Sequence, residues 1–145
     1  MQRVAALLTV AALAGLVAAQ EGRPVENPYQ AEVTYELGKA VDPGVVIEGV
    51  RWGALKVVPR GELRPGSRVK CTLEFGFENR SDRTVRIDVV LLLEDAAGTT
   101  LHRLEVKPMR LGSGRRKVFH DTYRLPADAL RSLRKLYLFC EVTPR

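Results

Sequence analysis

The chain has 145 residues, 23 basic against 17 acidic side chains and a formal net charge of +6 at pH 7. That length suits one ordinary domain with a single core and would be stretched to form two. It carries no internal repeat, low-complexity tract or heptad pattern that would point to a solenoid or a coiled coil.

The first segment reads as a cleaved secretory signal peptide, residues 1–19. Arg3 supplies a positive start, Val4 to Ala18 an apolar stretch broken only by Thr9 and Gly15, and Val17 and Ala19 the small residues of a peptidase site. A bilayer span needs about 20 apolar residues, and the polar run from Gln20 to Glu26 follows too soon. No cysteine sits just after the cleavage site, and no second apolar span follows, so the mature chain is expected to be exported, periplasmic or extracellular, with no membrane span after cleavage. Cleavage leaves 22 basic and 17 acidic residues, a net charge of +5, with eighteen of those cations after Val57.

Residues 20–43 read as a leader, partly disordered, with one candidate edge strand. Gln20 to Pro28 has no apolar period. Ala31, Val33, Tyr35 and Leu37 alternate with Gln30, Glu32, Thr34 and Glu36, which fits a half-buried strand, although Ala31 and Tyr35 also fit one turn of helix. The domain proper is placed at residues 44–145. Gly44 to Val58 is rich in β-branched residues and broken by Gly49 and Gly53, predicting one or two strands with a bend or bulge at a glycine.

After the turn Arg64, Pro65, Gly66 and Ser67, the stretch Arg68 to Glu78 puts Val69, Cys71, Leu73, Phe75 and Phe77 on one face and polar residues on the other. Such alternation predicts a sheet with one dry face. Thr84 to Glu94 repeats the pattern with Val85, Ile87, Val89, Leu91 and Leu93, and Val90 and Leu92 predict that its far half is covered on both sides, as in a central strand. Asp95 to Gly98 forms a hairpin, Thr100 to Val106 returns, and a turn from Leu111 to Gly114 leads to a strand over Lys117 to Leu125. Pro126 to Leu133 has one or two helical turns, with Asp128 and Arg131 placed as the helix dipole prefers. Leu136 to Val142 closes the chain with Leu136, Leu138, Cys140 and Val142 on one face. The expected fold is therefore all-β, an antiparallel sandwich of about seven strands with one short helix before the last, with an open barrel as the alternative.

Cys71 and Cys140 both lie on apolar faces, and export favours a disulfide between them. It would close a loop of roughly 70 residues, worth about 4 kcal/mol in the chain-entropy model. Two cysteines and two isolated histidines do not make a metal site, and no cofactor is expected.

Two basic clusters are candidates for anion binding: Arg115, Arg116 and Lys117, and Arg131, Arg134 and Lys135. Scattered arginines on a solvated surface are the plainer reading of the charge, and nothing points to specific nucleic-acid recognition. Three residues apart on a strand, His102 and Glu105 point to opposite faces, as do the neighbours His120 and Asp121. Neither pair looks like a base with its orienting acid, and Ser67, Ser81, Ser113 and Ser132 all sit in turn or helix contexts. No catalytic residue is expected. Asn79, Arg80 and Ser81 match a glycosylation sequon but read as a turn. Trp52, Tyr29 and Tyr35 read as packing residues in preference to an exposed recognition face.

Asn79 and Ser81, the strand VRIDVVLLLEDAAG from Val85 to Gly98, and LGSG from Leu111 before a strand carrying Phe119 resemble bacterial exported immunoglobulin-like domains of the FxLYD kind. Glu94 stands where that pattern has tyrosine. The run RPGSRVKCTLEFGFEN resembles the opening of CARDB domains. The resemblance implies an immunoglobulin-like sandwich used for binding or as a spacer. Together these readings predict an exported, non-catalytic binding or accessory module of the cell envelope, whose partner is another envelope protein or an anionic surface polymer. The alternatives are a structural subunit that assembles through an exposed strand edge and, further off, a small hydrolase.

Overall fold

The computed structural model describes residues 21–145, so the predicted signal peptide lies outside the described residues. Two sheets face each other across the core. The first has the order β1 (Arg23–Pro24), β4 (Val45–Ile47), β5 (Val50–Pro59), β6 (Arg68–Asn79), β10 (Arg116–Pro126), with β3 (Ala40–Val41) also pairing with β5. The second has the order β2 (Tyr29–Thr34), β11 (Lys135–Pro144), β7 (Val85–Glu94), β8 (Thr100–Glu105), with β9 (Met109–Leu111) on the early part of β7. All pairs are antiparallel except β1 with β4. Seven strands have six or more residues, and one short helix, α1 (Ala127–Ser132), precedes the last strand. The fold is an all-β sandwich.

Alternation explains the layers. On β6, Val69, Cys71, Leu73, Phe75 and Phe77 are buried, and on β7 Val85, Ile87, Val89, Leu91 and Leu93 face them across the core. Trp52 is fully buried and stacks on Phe77, its cross-strand partner, at 5.4 Å between ring centroids. Tyr29 and Tyr35 are buried too.

Both glycines in the second predicted segment are used. Glu48 and Gly49 take positive φ, 48° and 78°, and turn β4 directly into β5. This is the handedness a two-residue hairpin needs. Gly53 sits at the register shift between Trp52 and Ala54, a β-bulge in β5. In the hairpin after β7, Gly98 has φ 84° and the Asp95 carboxylate accepts from the amides of Ala97 and Thr99.

The segment read as a leader is built into the sandwich. Arg23 and Pro24 pair with β4, Tyr29–Thr34 lies along β11, and the Asn27 side chain exchanges two hydrogen bonds with the backbone of Val142. Beyond Thr34 the chain leaves the sheet, and the Tyr35 hydroxyl carries it across to the other one. That hydroxyl donates to the Lys39 carbonyl at 2.8 Å and accepts from the Val57 amide at 2.7 Å.

Three expectations are corrected. The Cys71–Cys140 disulfide is not formed, and both thiols are free and buried. Cys71 faces the core from the first sheet between Pro59 and Tyr123, Cys140 from the second between Val89 and Tyr29. Alternation turns both thiols into one core, but each packs among the side chains of its own sheet and neither sulfur is bonded to the other. Burial pushes the Cys71 thiol up to about 11 and raises Cys140 as well, so both are protonated and unreactive. Next, β7 is central, but among the described residues no second layer covers its outer face. Val90 and Leu92 are half-buried by their cross-strand neighbours Phe139 and Tyr137 instead. Finally, the turn predicted from Leu111 begins one residue later, because Met109–Leu111 first pairs with Val85–Ile87.

Candidate functional site

The outer face of the first sheet carries a shallow groove of about 460 Å³. Its geometry follows from register. Glu78 on β6 has Arg51 beside it on β5 and Arg116 beside it on β10, and Arg80 follows just after the strand ends. Lys117 and Val118 complete the β10 wall. The floor includes Gly53 and Gly76, where side chains are excluded. A Cβ at Gly76 would come within 2.9 Å of the Ala54 Cβ, and one at Gly53 would collide with the Arg51 guanidinium. The bulge therefore lets Arg51 lie flat across the sheet.

Three cations, Arg51, Arg80 and Arg116, meet two acids, Asp42 and Glu78, in this groove, while Lys117 stands at its rim with its ammonium turned to the other face of the strand. Arg51 pairs with Asp42 at 3.1 Å, and Glu78 with Arg116 at 3.2 Å and Arg80 at 3.5 Å. Partial burial works to raise the Glu78 carboxyl, but Arg80 and Arg116 outweigh it and hold it below its ordinary value. The Arg116 side chain is 79% exposed, so its ion pair is weak and the guanidinium is free to meet another anion. Lys117 lies over the Phe119 ring at 4.8 Å.

The two clusters predicted from sequence are not brought together. Arg116 and Lys117 line the groove; Arg115 stands in the preceding turn, its amide bonded to the Gly112 carbonyl and its carbonyl to the Asn79 amide. Arg131, Arg134 and Lys135 border a separate cleft of about 820 Å³ beside α1, lined also by Tyr35, Leu63 and Leu133. There Arg134 donates to the carbonyls of Arg131 and Leu133 at the helix end, and Lys135 pairs with Glu32 at 3.2 Å. Two of those three cations are thus occupied in holding the fold. Arg51 and Arg80 were missed, because only strand pairing brings them to Arg116.

The titratable pairs behave differently from their spacing. His120 meets Glu74, its cross-strand partner, at 3.6 Å, while Asp121 accepts from the Tyr123 hydroxyl. Burial and Arg68 lower the His102 imidazole below its ordinary value. Ser67 and Ser113 donate to backbone carbonyls of turns. Asn79 is fully buried: its amide donates to the carbonyls of Arg83 and Leu111, and its oxygen accepts from Ser81. That holds the predicted turn and leaves no accessible acceptor for a glycan. Among the described residues, no group of three or more His, Cys, Asp or Glu is arranged to hold a metal ion, and no helix is long and apolar enough to cross a membrane.

No family model matches the chain, and no curated protein matches it. A solved structure described as that of infectious bursal disease virus Gx strain is similar over 81% of this chain and 26% of its own, with 12% identity and a TM-score of 0.42. This chain therefore spans about a quarter of that one's length.

Proposed function

We propose that the chain is an exported, non-catalytic binding module of the cell envelope that holds an anionic ligand in the groove between β5 and β10. The observation that carries this reading is the convergence of Arg51, Arg80 and Arg116, with Lys117 at the rim, on a glycine-floored surface with only two acids among them. Clustered cations on a low wall concentrate field toward a negative ligand. The apolar stretch from Val4 to Ala18 supports export, and the resemblance to FxLYD and CARDB domains supports binding over catalysis.

The test is retention of the mature chain on dextran sulfate against neutral dextran at rising salt. Retention is expected on the anionic matrix alone, falling with salt because exposed charges are screened beyond about 10 Å at 0.1 M. The double variant Arg116→Gln, Lys117→Gln should weaken binding about three- to tenfold, as exposed pairs of this kind are worth up to about 1 kcal/mol each. Arg131→Gln, at the other cleft, should not. Equal losses from the two would place the charge effect over the whole surface and end the groove reading.

A further inference from the structure

We infer that the first half of β10, Arg116 to His120, is a docking edge for an acidic, extended segment of a partner polypeptide, which pairs with it as an added strand. The inference rests on the binding-module reading and names the partner's chemistry.

Among the described strands, β10 pairs with β6 alone, which leaves its second edge open. Which backbone groups face outward follows from its neighbours. The Lys70 carbonyl accepts from Arg60, on the β5 side, and the Asn79 amide donates to Arg115, on the β10 side. Even-numbered residues of β6 thus turn away from β10, and their partners Arg124, Thr122, His120, Val118 and Arg116 present amide and carbonyl to the open side. The second half of this edge is blunted from within. The Asp121 carboxylate accepts from the Thr122 amide, the Arg124 carbonyl accepts from Arg68, and the Tyr123 hydroxyl takes the Lys107 amide. The first half has no such cover among the described residues, and it holds Val118, 49% exposed, the one large exposed hydrophobic among them. An uncovered strand edge is a template for pairing.

Charge selects the occupant. Arg115, Arg116 and Lys117 open the strand without an acid before Asp121. Beyond the edge, a cleft of about 270 Å³ sets Lys107 and Arg110 against Phe119 and Met109. A second copy pairing antiparallel about His120 would lay Arg116 against Arg124, and like charges directly opposite destabilise a ladder. An acidic strand with alternating apolar residues meets cations on both sides of the edge and has an apolar surface at Val118 or in the cleft.

The probe is an end-capped peptide alternating glutamate and valine, titrated into the full mature chain. Two further versions are N-methylated on alternate residues, one on each set. Strand pairing requires that one methylated version lose affinity at least about tenfold, the worth of a hydrogen bond or two, while the other, with its methyl groups toward solvent, binds as the parent does. If all three bind alike, attraction is by charge alone; the docking edge is refuted and the anion groove stands. No binding of the parent peptide refutes it too. A dimer of the chain alone that the peptide dissociates would overturn the choice of partner in favour of a second copy.

Discussion

The Tyr35 hydroxyl is a single atom joining both sheets, and removing it should cost far more than its size suggests. Tyr35 is 3% exposed and Val57 1%. The Val57 carbonyl accepts from Gly38, and its amide has the Tyr35 oxygen as partner at 2.7 Å. In Tyr35→Phe that amide stays buried with nothing to donate to, a penalty of about 1–3 kcal/mol, and the bond to Lys39 is lost for about 1 kcal/mol more. The expected destabilisation is therefore about 2–4 kcal/mol, or roughly 10 °C in midpoint for a domain of this size. Urea unfolding followed by fluorescence of the fully buried Trp52 reads it directly. Tyr137→Phe is the control, since that hydroxyl bonds Gln30 on an exposed face where water replaces it. A Tyr35→Phe midpoint within about 0.5 kcal/mol of wild type, or a control equally destabilised, would show that the hydroxyl does not tie the sheets.

Three more expectations follow from single residues. Because both thiols are free and buried, reductant should leave the thermal midpoint unchanged, and a thiol reagent should react with Cys71 and Cys140 only after unfolding. Glu94 is 6% exposed with one carboxylate oxygen unpartnered; burial, then Glu32, then Asp95 raise its carboxyl above the ordinary 4.5 against the pull of Lys135. The unfolded chain therefore releases this proton first, so stability falls as pH rises from below 4.5 through the folded value, then levels. Glu94→Gln should remove that decline, and urea midpoints from pH 4 to 7 that keep it would contradict the assignment. Gly76→Ala places a methyl 2.9 Å from the Ala54 Cβ and should cost about 1–3 kcal/mol by thermal scan. Gly53→Ala meets only the flexible end of Arg51, so it should lower retention on dextran sulfate with little change in stability.

What could be read from sequence divides along a physical line. β6 and β7 were legible because each has one dry face, and period-two alternation reports that directly. The Glu48–Gly49 hairpin and the Gly53 bulge were legible as glycine breaks, though only pairing shows which glycine turns the chain and which bends it. Ala40–Val41 and Arg23–Pro24, two residues each, are too short to have a period. Facing cysteines do not imply bonded ones, since alternation assigns a face and is silent on the distance between faces. The candidate groove was half legible for the same reason. Arg116 and Lys117 stand together in the chain, whereas Arg51 reaches them only through two successive registers across Glu78.

The segment read as a leader with a candidate edge strand also decides where the sandwich is open. β11 has fully buried Leu136, Leu138 and Cys140 and would end the second sheet with a bare ladder edge if nothing followed it in space. The neighbour on that side is a strand from far earlier in the sequence: Tyr29–Thr34 pairs with Cys140–Lys135, and Asn27 extends the closure to Val142. On the first sheet, the two residues of β1 cap the far side. The opposite side of the second sheet is shared by two short strands, β8 and β9, with the turn at Val106–Pro108 between them. These three edges are thus short, bent or covered, which blunts them against pairing with another chain. β10 alone among the edge strands has eleven residues, and only its second half is blunted by its own side chains. An edge left bare beside a cationic groove is a selective opening, which is why the proposed strand pairing and anion binding meet at Arg116 and Lys117.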